Sequence, residues 1–365
     1  MLNYITNSPN NNIVNQIRLI NFKKMKKLFD NSFKDSLINT DKISALKVTK
    51  KTNKYKSIGI DLVKKGEYAI VIMAGGNGSR LGFKGPKGCF EFNINNRFIS
   101  LFESYFEQLK KIIIEYNIVI PIYIMTSNSN YNDTINFFNK NNYFYYPKDK
   151  IKFFIQSDLP ILDRSGKIIL KDENNILFGP NGNGDVFKSL KKYHLIKDMI
   201  SNNIKYCLFM SVDNILNDLV DFNFIGATIY NNYKLASKTI KLNNKKEWIF
   251  CKYNNSPFML PSEYLNSNLN IDYYKNISYH LIHINLIKKF SKLKLPYHRA
   301  YKKYNYIGSL NTLNSFKFEK FIFDAFNYSD DMLLYEVDDS EFYPLKGIDD
   351  ITEITKLYIK KYIEK

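Results

Sequence analysis

A strongly apolar run that leads directly into a glycine-rich turn limits what this chain can fold into more than any other feature. Residues 68–73 read YAIVIM, and residues 74–88 read AGGNGSRLGFKGPKG. An unbroken apolar run of this length is typical of a strand buried on both faces of a parallel sheet. Ligands of such sheets bind beyond the carboxyl ends of the strands, where glycines allow backbone N–H groups to approach phosphate oxygens. We therefore predict a phosphate-binding loop at this strand end.

Two cations distinguish this loop from an ordinary tight turn. Arg80 and Lys87 supply fixed positive charges beside the glycines, which suits a triphosphate whose last two phosphates leave. The spacing matches neither the P-loop pattern G-x-x-x-x-G-K-[ST] nor the dinucleotide pattern G-x-G-x-x-G with its later acidic residue. Glycines alone would also fit a plain turn, but the preceding strand and the two cations favour phosphate binding.

Strand and helix patterns alternate after this loop. Further strands are predicted over 119–125, 152–156 and 205–212, and helices over 100–114, 132–140 and 185–199. This alternation predicts an α/β fold with a Rossmann-like, mixed, mostly parallel sheet and helices on both faces. Residues 225–286 change to short β-branched and aromatic runs, which predict a partly antiparallel extension that forms a sugar pocket. Residues 13–46 have roughly helical spacing and predict one or two helices ahead of the main domain.

The composition fits a globular protein without a nucleic-acid partner. The chain has 365 residues, 45% of them hydrophobic, which is enough to bury a core. Its formal net charge of +18 comes mostly from scattered lysines that accompany abundant Asn, Ile, Tyr and Phe, a bias that A/T-rich codons also produce. No helix-turn-helix, RNP motif or zinc finger is evident. A basic cleft would still help to attract a polyanionic nucleotide.

Cysteine usage and the amino-terminal residues indicate the compartment. Cys89, Cys207 and Cys251 are widely spaced and odd in number, which makes a disulfide scaffold or a C-x-x-C metal site a poor interpretation. The first residues are polar and Asn-rich, and no apolar run reaches the length of a signal peptide core or a membrane span. We expect a soluble cytoplasmic protein with no membrane partner.

Several motifs keep the order found in a known family. The stretch 74–88 closely resembles the A-G-G-x-G-T-R-L-G signature, with P-K following, of eukaryotic UDP-N-acetylglucosamine pyrophosphorylases. Further stretches are similar to that family's motifs: IMTS at 124–127, Gln156 ahead of LP at 159–160, PNGNG at 180–184, SVDN at 211–214, YHRAYKK at 297–303, KFIFD at 320–324 and FYPLK at 342–346. The resemblance extends over about residues 55–346.

This resemblance implies a nucleotide-diphospho-sugar transferase fold and a specific reaction. UTP and N-acetylglucosamine 1-phosphate would give UDP-N-acetylglucosamine and pyrophosphate, with Mg²⁺, or alternatively Mn²⁺, as cofactor. We expect an N-terminal helical extension over 1–66, a catalytic uridylyltransferase domain over 67–346 and a short C-terminal helix over 347–365. Because about twenty residues follow Lys346, we also expect a reduced C-terminal region relative to the family, and a monomer.

The resemblance also implies roles for individual residues. The triphosphate and the departing pyrophosphate would be held by three cationic positions: Arg80, Lys87, and either Lys302 or Lys303. The nucleotide would contact the loop backbone, a glutamine amide and two later strand ends: Met73, Ala74, Gly75, Gly76, Gln156, Gly182 and Asp213. Asp213 would also bind Mg²⁺, which commonly takes one or two carboxylates together with phosphate oxygens. The sugar and its phosphate would contact Asn183, Glu263, Tyr264, Asn276 and Lys346.

Departures from the family's motifs leave two other functions open. The family's V-E-Y-S-E stretch matches PSEY at 261–264 only with a two-residue shift, and its G-N-I-x-N-H reads KNISYH at 275–280. These changes motivate a UDP-sugar pyrophosphorylase that uses glucose 1-phosphate or galactose 1-phosphate. A non-catalytic UDP-sugar-binding protein is the other alternative, although pure binding requires fewer cations at the leaving group than the sequence retains.

Overall fold

The computed structural model describes residues 11–33, 38–242, 247–264, 272–304 and 313–364. Its strands are β1 (Ile43–Ser44), β2 (Val48–Lys50), β3 (Tyr68–Met73), β4 (Glu91–Ile94), β5 (Arg97–Ser100), β6 (Ile122–Thr126), β7 (Ile151–Ile155), β8 (Asp158–Pro160), β9 (Leu170–Asp172), β10 (Asn175–Ile176), β11 (Phe178–Pro180), β12 (Tyr206–Ser211), β13 (Leu235–Lys241), β14 (Trp248–Tyr253), β15 (Ser256–Pro261), β16 (Tyr274–His283), β17 (His298–Tyr304), β18 (Leu313–Glu319) and β19 (Leu333–Glu336). Its α-helices are α1 (Asn11–Arg18), α2 (Phe22–Asn31), α3 (Lys56–Lys64), α4 (Leu101–Tyr116), α5 (Tyr131–Lys140), α6 (Val186–Lys192), α7 (Leu195–Ser201), α8 (Phe222–Tyr230), α9 (Ile284–Phe290) and α10 (Ile351–Tyr362).

The central sheet has the strand order β2-β19-β13-β16-β12-β3-β6-β7. Strand β16 is antiparallel to both of its neighbours, whereas the remaining neighbours along this path are parallel. The hairpin β14–β15 extends the sheet at β16, and β1 pairs with β14. The predicted class, a mixed and mostly parallel sheet, is therefore confirmed.

Strand β3 shows why a continuous apolar run was needed at the centre of this sheet. Tyr68, Ile70 and Ile72 belong to the core on one face, and Ala69 and Val71 belong to the core on the other. Since alternate side chains of a strand point to opposite faces, both sets must be apolar. The first core also contains residues of α4 and α5, and the second contains residues of α6, α7 and α9, so helices cover both faces as predicted.

Local signals explain the places where the observed elements differ from the predicted ones. The helix predicted over 185–199 is two helices, because His194 between them adopts a left-handed conformation with φ 59°. The region predicted to start a partly antiparallel extension begins instead with α8. Asp221 caps that helix by accepting a hydrogen bond from the Phe224 N–H. The antiparallel pairs follow from β13 onward, as predicted.

The first 66 residues are not a purely helical extension, which corrects the sequence prediction. Helices α1 and α2 pack on a satellite core with β9, β10 and β18, but β1 and β2 are strands of the central sheet. Helix α3 approaches α8 so closely that a Cβ on Gly59 would lie 2.0 Å from the Phe222 carbonyl oxygen. Short β-branched runs such as Val48-Thr49 were too brief to indicate sheet pairing by themselves.

Helix α10 lies within the range 347–365, where a short C-terminal helix was predicted, and it packs Tyr358 against Phe92 with ring centroids 5.9 Å apart. Across the parts of the chain that the structure describes, no helix combines the length and apolar character needed to cross a bilayer.

Candidate functional site

The glycine-rich loop after β3 is a folded turn closed by its own backbone. The Gly78 N–H donates to the Gly85 carbonyl at 2.9 Å, and the Lys87 N–H donates to the Gly76 carbonyl at 3.0 Å. Gly82 ends a short 3-10 turn with φ 68°, a left-handed conformation that favours glycine. The loop therefore turns twice between the strand and Lys87, and this carries Lys87 back toward the strand end.

Asn130 anchors this loop to the neighbouring strand, and the sequence analysis did not single it out. Its side-chain amide donates to the Ala74 carbonyl at 3.0 Å and to the Gly76 carbonyl at 3.2 Å. Its amide oxygen accepts from the Ser127 N–H at 2.8 Å, so the residue bridges the turns that follow β3 and β6. The signal available was its position, three residues after the strand-end motif IMTS.

A cavity of about 190 Å³ lies where the loop meets the carboxyl ends of β3 and β12. Its walls combine the loop, the end of β12 and a residue from near the C-terminus: Met73, Gly76, Asn77, Gly78, Arg80, Leu81, Lys87, Ser211, Val212, Asp213 and Lys346. Six predicted site residues thus converge here from three separate segments. We call this cavity the phosphate cavity, after the chemistry of its lining.

Three cations and one carboxylate set the electrostatics of the phosphate cavity. Lys87 is 10% exposed, and its ammonium lies 3.3 Å from Asp213 Oδ2. Among the described residues, no hydrogen bond or ion pair is made by the side chain of Arg80 or Lys346, although both line the cavity. Asp213 neutralises only one of the three cations. The remaining positive charge attracts a polyanion to the cavity.

Asp213 is suited to hold a divalent cation only with help from a ligand. Its side chain is 25% exposed, and the residue lines the cavity. No group of three or more His, Cys, Asp or Glu side chains within the described ranges is arranged to bind a metal ion. Since Mg²⁺ is often bound by one or two carboxylates plus substrate phosphates, a single carboxylate beside a phosphate site fits this ion.

Hydrogen bonds donated to the Asp213 turn place Lys346 at the cavity. The Leu345 N–H donates to the Asp213 carbonyl at 2.8 Å, and the Tyr343 N–H donates to Asn214 Oδ1 at 3.2 Å. More than 125 residues separate these partners in the chain. The C-terminal PLK motif is therefore attached directly to the turn that carries the predicted metal ligand.

Gln156 directly follows β7, lies next to the loop and carries an unsatisfied amide oxygen. The residue is buried, and its Oε1 has no hydrogen-bond partner among the described residues. A Cβ on Gly75 would lie 1.7 Å from Gln156 Nε2, so the absence of a side chain at Gly75 makes room for the amide. A buried acceptor without a partner is costly, and the edge of a base would satisfy it.

The PNGNG turn carries Gly182 and Asn183, and Gly182 has a backbone conformation that only glycine tolerates well. Gly182 has φ 89°, and a Cβ there would lie 2.3 Å from the Lys320 carbonyl oxygen. Asn183 Oδ1 accepts from the Ile322 N–H at 3.0 Å. These contacts join the turn to the KFIFD motif, and they can serve packing without any ligand. A ligand contact at Gly182 and Asn183 stays a prediction.

A second, larger cavity of about 770 Å³ contains the predicted sugar contacts Glu263 and Tyr264. Aromatic rings form one part of its wall. Trp248 lies 4.9 Å from Phe323 and 5.9 Å from Phe321, measured between ring centroids. Polar groups form another part, including His298, Arg299 and Asp324. We call this the aromatic cavity.

A histidine-carboxylate pair lies in the wall of the aromatic cavity. His298 Nε2 is 2.9 Å from Asp324 Oδ2, and the His298 ring lies over Phe321 with centroids 4.7 Å apart. The carboxylate fixes the orientation of the imidazole. The two partners are 26 residues apart in the chain, so no local sequence pattern marks this histidine.

The remaining predicted sites do not line either cavity. Asn276 lies on β16 beyond Tyr279, which pairs with Met210 near the end of β12. It is therefore on the same edge of the sheet as Asp213, and its Oδ1 accepts from the Ser278 N–H at 2.7 Å. Lys302 and Lys303 are exposed neighbours on β17 and point to opposite faces of the β17–β18 ribbon. Their proposed phosphate contact stays a prediction.

Comparison with known proteins identifies the family. The profile of the UTP--glucose-1-phosphate uridylyltransferase family matches residues 19–361. The chain belongs to this family.

Individual relatives are similar over most of the chain. A probable UDP-N-acetylglucosamine pyrophosphorylase of Schizosaccharomyces pombe is 33% identical over 301 residues, which cover 73% of this chain and 63% of that protein. A probable UDP-N-acetylglucosamine pyrophosphorylase of Dictyostelium discoideum is 32% identical over 394 residues, covering 94% and 79%. The crystal structure of a putative UDP-N-acetylglucosamine pyrophosphorylase from Entamoeba histolytica matches with a TM-score of 0.80 and 26% identity, covering 87% of this chain and 88% of that one.

Two buried lysines of this uridylyltransferase-family chain were not predicted as site residues. Lys317 on β18 contacts Glu319 Oε1 at 2.7 Å, and Lys320 contacts Asp185 Oδ1 at 3.2 Å. Asp185 also accepts from the Ser157 N–H at 2.9 Å, so Lys320 is tied to the turn after Gln156. In a lysine-rich sequence, burial is the property that separates such residues from solvated ones, and only the tertiary structure reveals it.

Proposed function

We propose that this chain transfers a uridylyl group from UTP to N-acetylglucosamine 1-phosphate and releases pyrophosphate. A phosphate oxygen of the sugar 1-phosphate attacks the α-phosphorus of UTP, and the bond from that phosphorus to the bridging oxygen of pyrophosphate breaks. The convergence of Arg80, Lys87, Asp213 and Lys346 on one cavity beside a glycine-rich loop is the observation that carries this proposal. The names of the relatives support it.

The reaction needs positioning and charge neutralisation more than covalent help from the protein. Arg80 and Lys87 hold the triphosphate and stabilise the charge that grows on the departing pyrophosphate. Lys346 holds the sugar phosphate, and Gln156 reads the uracil edge with an amide that can both donate and accept. Mg²⁺, or alternatively Mn²⁺, held by Asp213 and phosphate oxygens would neutralise part of the phosphate charge.

The aromatic cavity supports an N-acetylated sugar over an unmodified hexose. Trp248, Phe321, Phe323 and Met259 give part of this cavity an apolar wall. An acetamido group offers a methyl that such a wall can cover, whereas glucose 1-phosphate presents hydroxyl groups. Glu263 and Tyr264 line the same cavity and supply polar contacts for the remaining sugar hydroxyls.

The test is a comparison of sugar 1-phosphates with the purified, folded protein. UTP and Mg²⁺ are combined separately with N-acetylglucosamine 1-phosphate, glucose 1-phosphate and galactose 1-phosphate, and pyrophosphate release is measured. Fastest release with the N-acetylated substrate supports the proposal. Preference for a plain hexose would replace it with the UDP-sugar pyrophosphorylase function, and binding of UDP-N-acetylglucosamine without any release would indicate a non-catalytic binding protein.

Three further expectations accompany this function. We propose that the protein acts as a monomer in the cytoplasm, with UTP and a sugar 1-phosphate as its partners. The scattered distribution of its lysines supports the absence of a nucleic-acid partner. Size-exclusion chromatography with light scattering measures the assembly state directly.

A further inference from the structure

Four charged side chains cluster beside β13, outside both cavities; Lys238, Asp221 and Glu341 are buried, and Lys51 is partly exposed. Lys238 on β13 is 0% exposed, and its ammonium lies 2.7 Å from Asp221 Oδ2 and 2.9 Å from Glu341 Oε2. Glu341 Oε1 lies 2.6 Å from the ammonium of Lys51. The Lys238 ammonium also lies over the Tyr279 ring, 4.7 Å from its centroid. Two cations and two carboxylates balance in this cluster.

Burial makes this arrangement dependent on all of its members. Burial lowers the pKa of Lys238, but the adjacent carboxylates of Asp221 and Glu341 outweigh it, so the net shift is upward and the ammonium stays charged. Removing one partner from a buried pair leaves an uncompensated charge, which is more damaging than replacing the whole pair by apolar groups. Because apolar residues would serve stability equally well, the charges at this position call for another explanation.

Glu341 connects the cluster to the phosphate cavity through the segment 341–346. The Glu341 carbonyl accepts from Asn214 Nδ2 at 2.9 Å, and Asn214 Oδ1 accepts from the Tyr343 N–H. Two residues later the Leu345 N–H donates to the Asp213 carbonyl, and Lys346 follows in the cavity wall. Lys238 therefore holds one end of the segment whose other end presents Lys346.

We propose that Lys238 is a positioning residue for Lys346 in uridylyl transfer. It touches neither cavity and acts by fixing Glu341, which sets the path of segment 341–346 across the end of β12. An ion pair is directional and therefore fixes the position of this segment, whereas apolar contacts would allow the segment to slide along its neighbours. The expected loss of activity rests on the proposed function, whereas the expected effect on the position of segment 341–346 does not.

The kinetic test combines Lys238→Met with Lys346→Ala. We expect Lys238→Met to lower kcat/KM for N-acetylglucosamine 1-phosphate at least tenfold while KM for UTP changes less than threefold. If Lys238 acts through Lys346, the double variant is no slower than Lys346→Ala within about twofold. If the fold-loss of kcat/KM in the double variant equals the product of the two single fold-losses, the proposal is overturned. Wild-type kcat/KM in a folded Lys238→Met protein also overturns it.

The control is Lys252→Met, which removes a lysine of β14 that pairs with Asp331 at 3.0 Å and lies outside both cavities. It should leave kcat/KM within twofold of wild type. If Lys238→Met fails to fold, Glu341→Gln replaces it, since this change keeps the side-chain shape and removes the charge that Lys238 binds. Glu341→Gln is then combined with Lys346→Ala in the same way, and the same outcomes decide.

The mechanical test uses backbone hydrogen exchange and does not require turnover. We expect amides of 342–346 to exchange at least tenfold faster in Lys238→Met than in wild type, and unchanged in Lys252→Met. Unchanged exchange in Lys238→Met overturns the proposal. Faster exchange in a protein that processes no sugar 1-phosphate would reject the proposed function and retain the mechanical link.

Discussion

At the residue scale, the two cations beside the glycine-rich loop differ in what surrounds them. Lys87 is nearly buried and paired with Asp213, whereas Arg80 is exposed at the cavity edge. A paired and buried cation is already oriented before substrate binds. An exposed cation becomes oriented only when it contacts the bound ligand. We therefore expect it to contribute most where the negative charge of the ligand grows during the reaction.

Arg80→Ala should mainly lower the turnover rate. Its guanidinium is needed most as negative charge develops on the departing pyrophosphate, so we expect kcat to fall on the order of 100-fold, as for lost transition-state charge stabilisation. Steady-state kinetics with varied UTP measures this. Lys84→Ala is the matched control, because Lys84 is an exposed cation of the same loop that does not line the cavity. Raised KM for UTP with unchanged kcat in Arg80→Ala would contradict this role.

Two adjacent glycines should respond differently to the same substitution. Apart from Gly76 itself and its two chain neighbours, no heavy atom of the described residues lies within 4 Å of a Cβ on Gly76, which lines the phosphate cavity. A Cβ on Gly75 would instead displace the Gln156 amide. We expect Gly76→Ala to raise KM for UTP severalfold with unchanged stability, since the methyl enters space meant for phosphate.

Gly75→Ala should instead weaken the choice of UTP over other pyrimidine and purine triphosphates, because Gln156 moves. Competition assays with CTP and ATP, alongside thermal unfolding, separate the two variants. Equal nucleotide preference in both variants would show that Gln156 does not read the base.

Trp248 is the one tryptophan of the chain, and its position makes it a reporter. Because its indole lines the aromatic cavity, we expect its fluorescence to change when UDP-N-acetylglucosamine binds. We expect Trp248→Ala to reduce the ratio of kcat/KM for N-acetylglucosamine 1-phosphate over glucose 1-phosphate about tenfold, on the order of the 1–3 kcal/mol that apolar pocket contacts provide. Trp248→Phe should retain most of that ratio. An unchanged ratio in Trp248→Ala would remove the aromatic wall from substrate selection.

At the element scale, the site depends on how loops are attached to strand ends. The loop after β3 is held by Asn130, the PNGNG turn by its contact with Lys320, and the PLK segment by the turn after β12. Each anchor comes from a different element. The sheet therefore supplies rigid starting points, and side chains from neighbouring elements fix the loops between them.

Asn130→Ala should loosen the phosphate loop. The substitution removes the side-chain donor from the carbonyl groups of Ala74 and Gly76. The Gly76 carbonyl keeps its bond from the Lys87 N–H, so the cost comes from the Ala74 carbonyl, since a buried acceptor that loses its partner costs about 1–3 kcal/mol. We expect that loss of unfolding free energy in urea together with a severalfold higher KM for UTP. Asn132→Ala, at an exposed position on α5, should change neither quantity. Normal UTP affinity in a destabilised Asn130→Ala protein would limit Asn130 to a folding role.

At the scale of the whole molecule, the N-terminal and C-terminal segments pack against a sheet that has an apolar core on each face. Strands β1 and β2 extend the sheet, and α10 covers the side near β4. The buried charges of Asp221, Lys238 and Glu341, together with the partly exposed Lys51, lie where these segments meet β13 and α8. Stability of the whole fold is therefore coupled to a group that titrates.

Glu341 should make stability fall in acid. Burial opposes its ionisation, but the Lys238 charge and hydrogen bonds from Lys51 and Lys238 outweigh burial and lower the pKa to about 2, from an ordinary value of 4.5. The ionised group thus stabilises the fold above pH 4.5, and this contribution is lost as pH falls toward 2. Each pKa unit corresponds to about 1.4 kcal/mol.

The check is urea unfolding of wild type and Glu341→Gln between pH 7 and pH 3. We expect wild type to be more stable at pH 7 by on the order of 2 kcal/mol, and the difference to shrink on acidification. Glu173→Gln, at an exposed position, should follow the wild-type profile. A difference that stays constant with pH would mean that Glu341 is not depressed in pKa.

The sequence by itself determined the elements whose signals are local. The run 68–73, the glycine-rich loop and the helices near α4 and α5 were predictable, because apolar periodicity and glycine spacing act over a few residues. The family motifs extended this to the fold class and to Gln156, Asp213 and Lys346. Short strands such as β1 and β2 gave no adequate signal, since pairing rather than propensity defines them.

Only the tertiary structure decided which charges are buried and which distant segments meet. Fifty-three Lys and Arg residues look alike in the sequence, yet burial selects Lys87, Lys238, Lys317 and Lys320 and leaves Lys302 and Lys303 in solvent. Lys346 reaches the phosphate cavity because a backbone hydrogen bond joins Leu345 to Asp213. Such contacts depend on the packing of the whole chain, and therefore no local pattern encodes them.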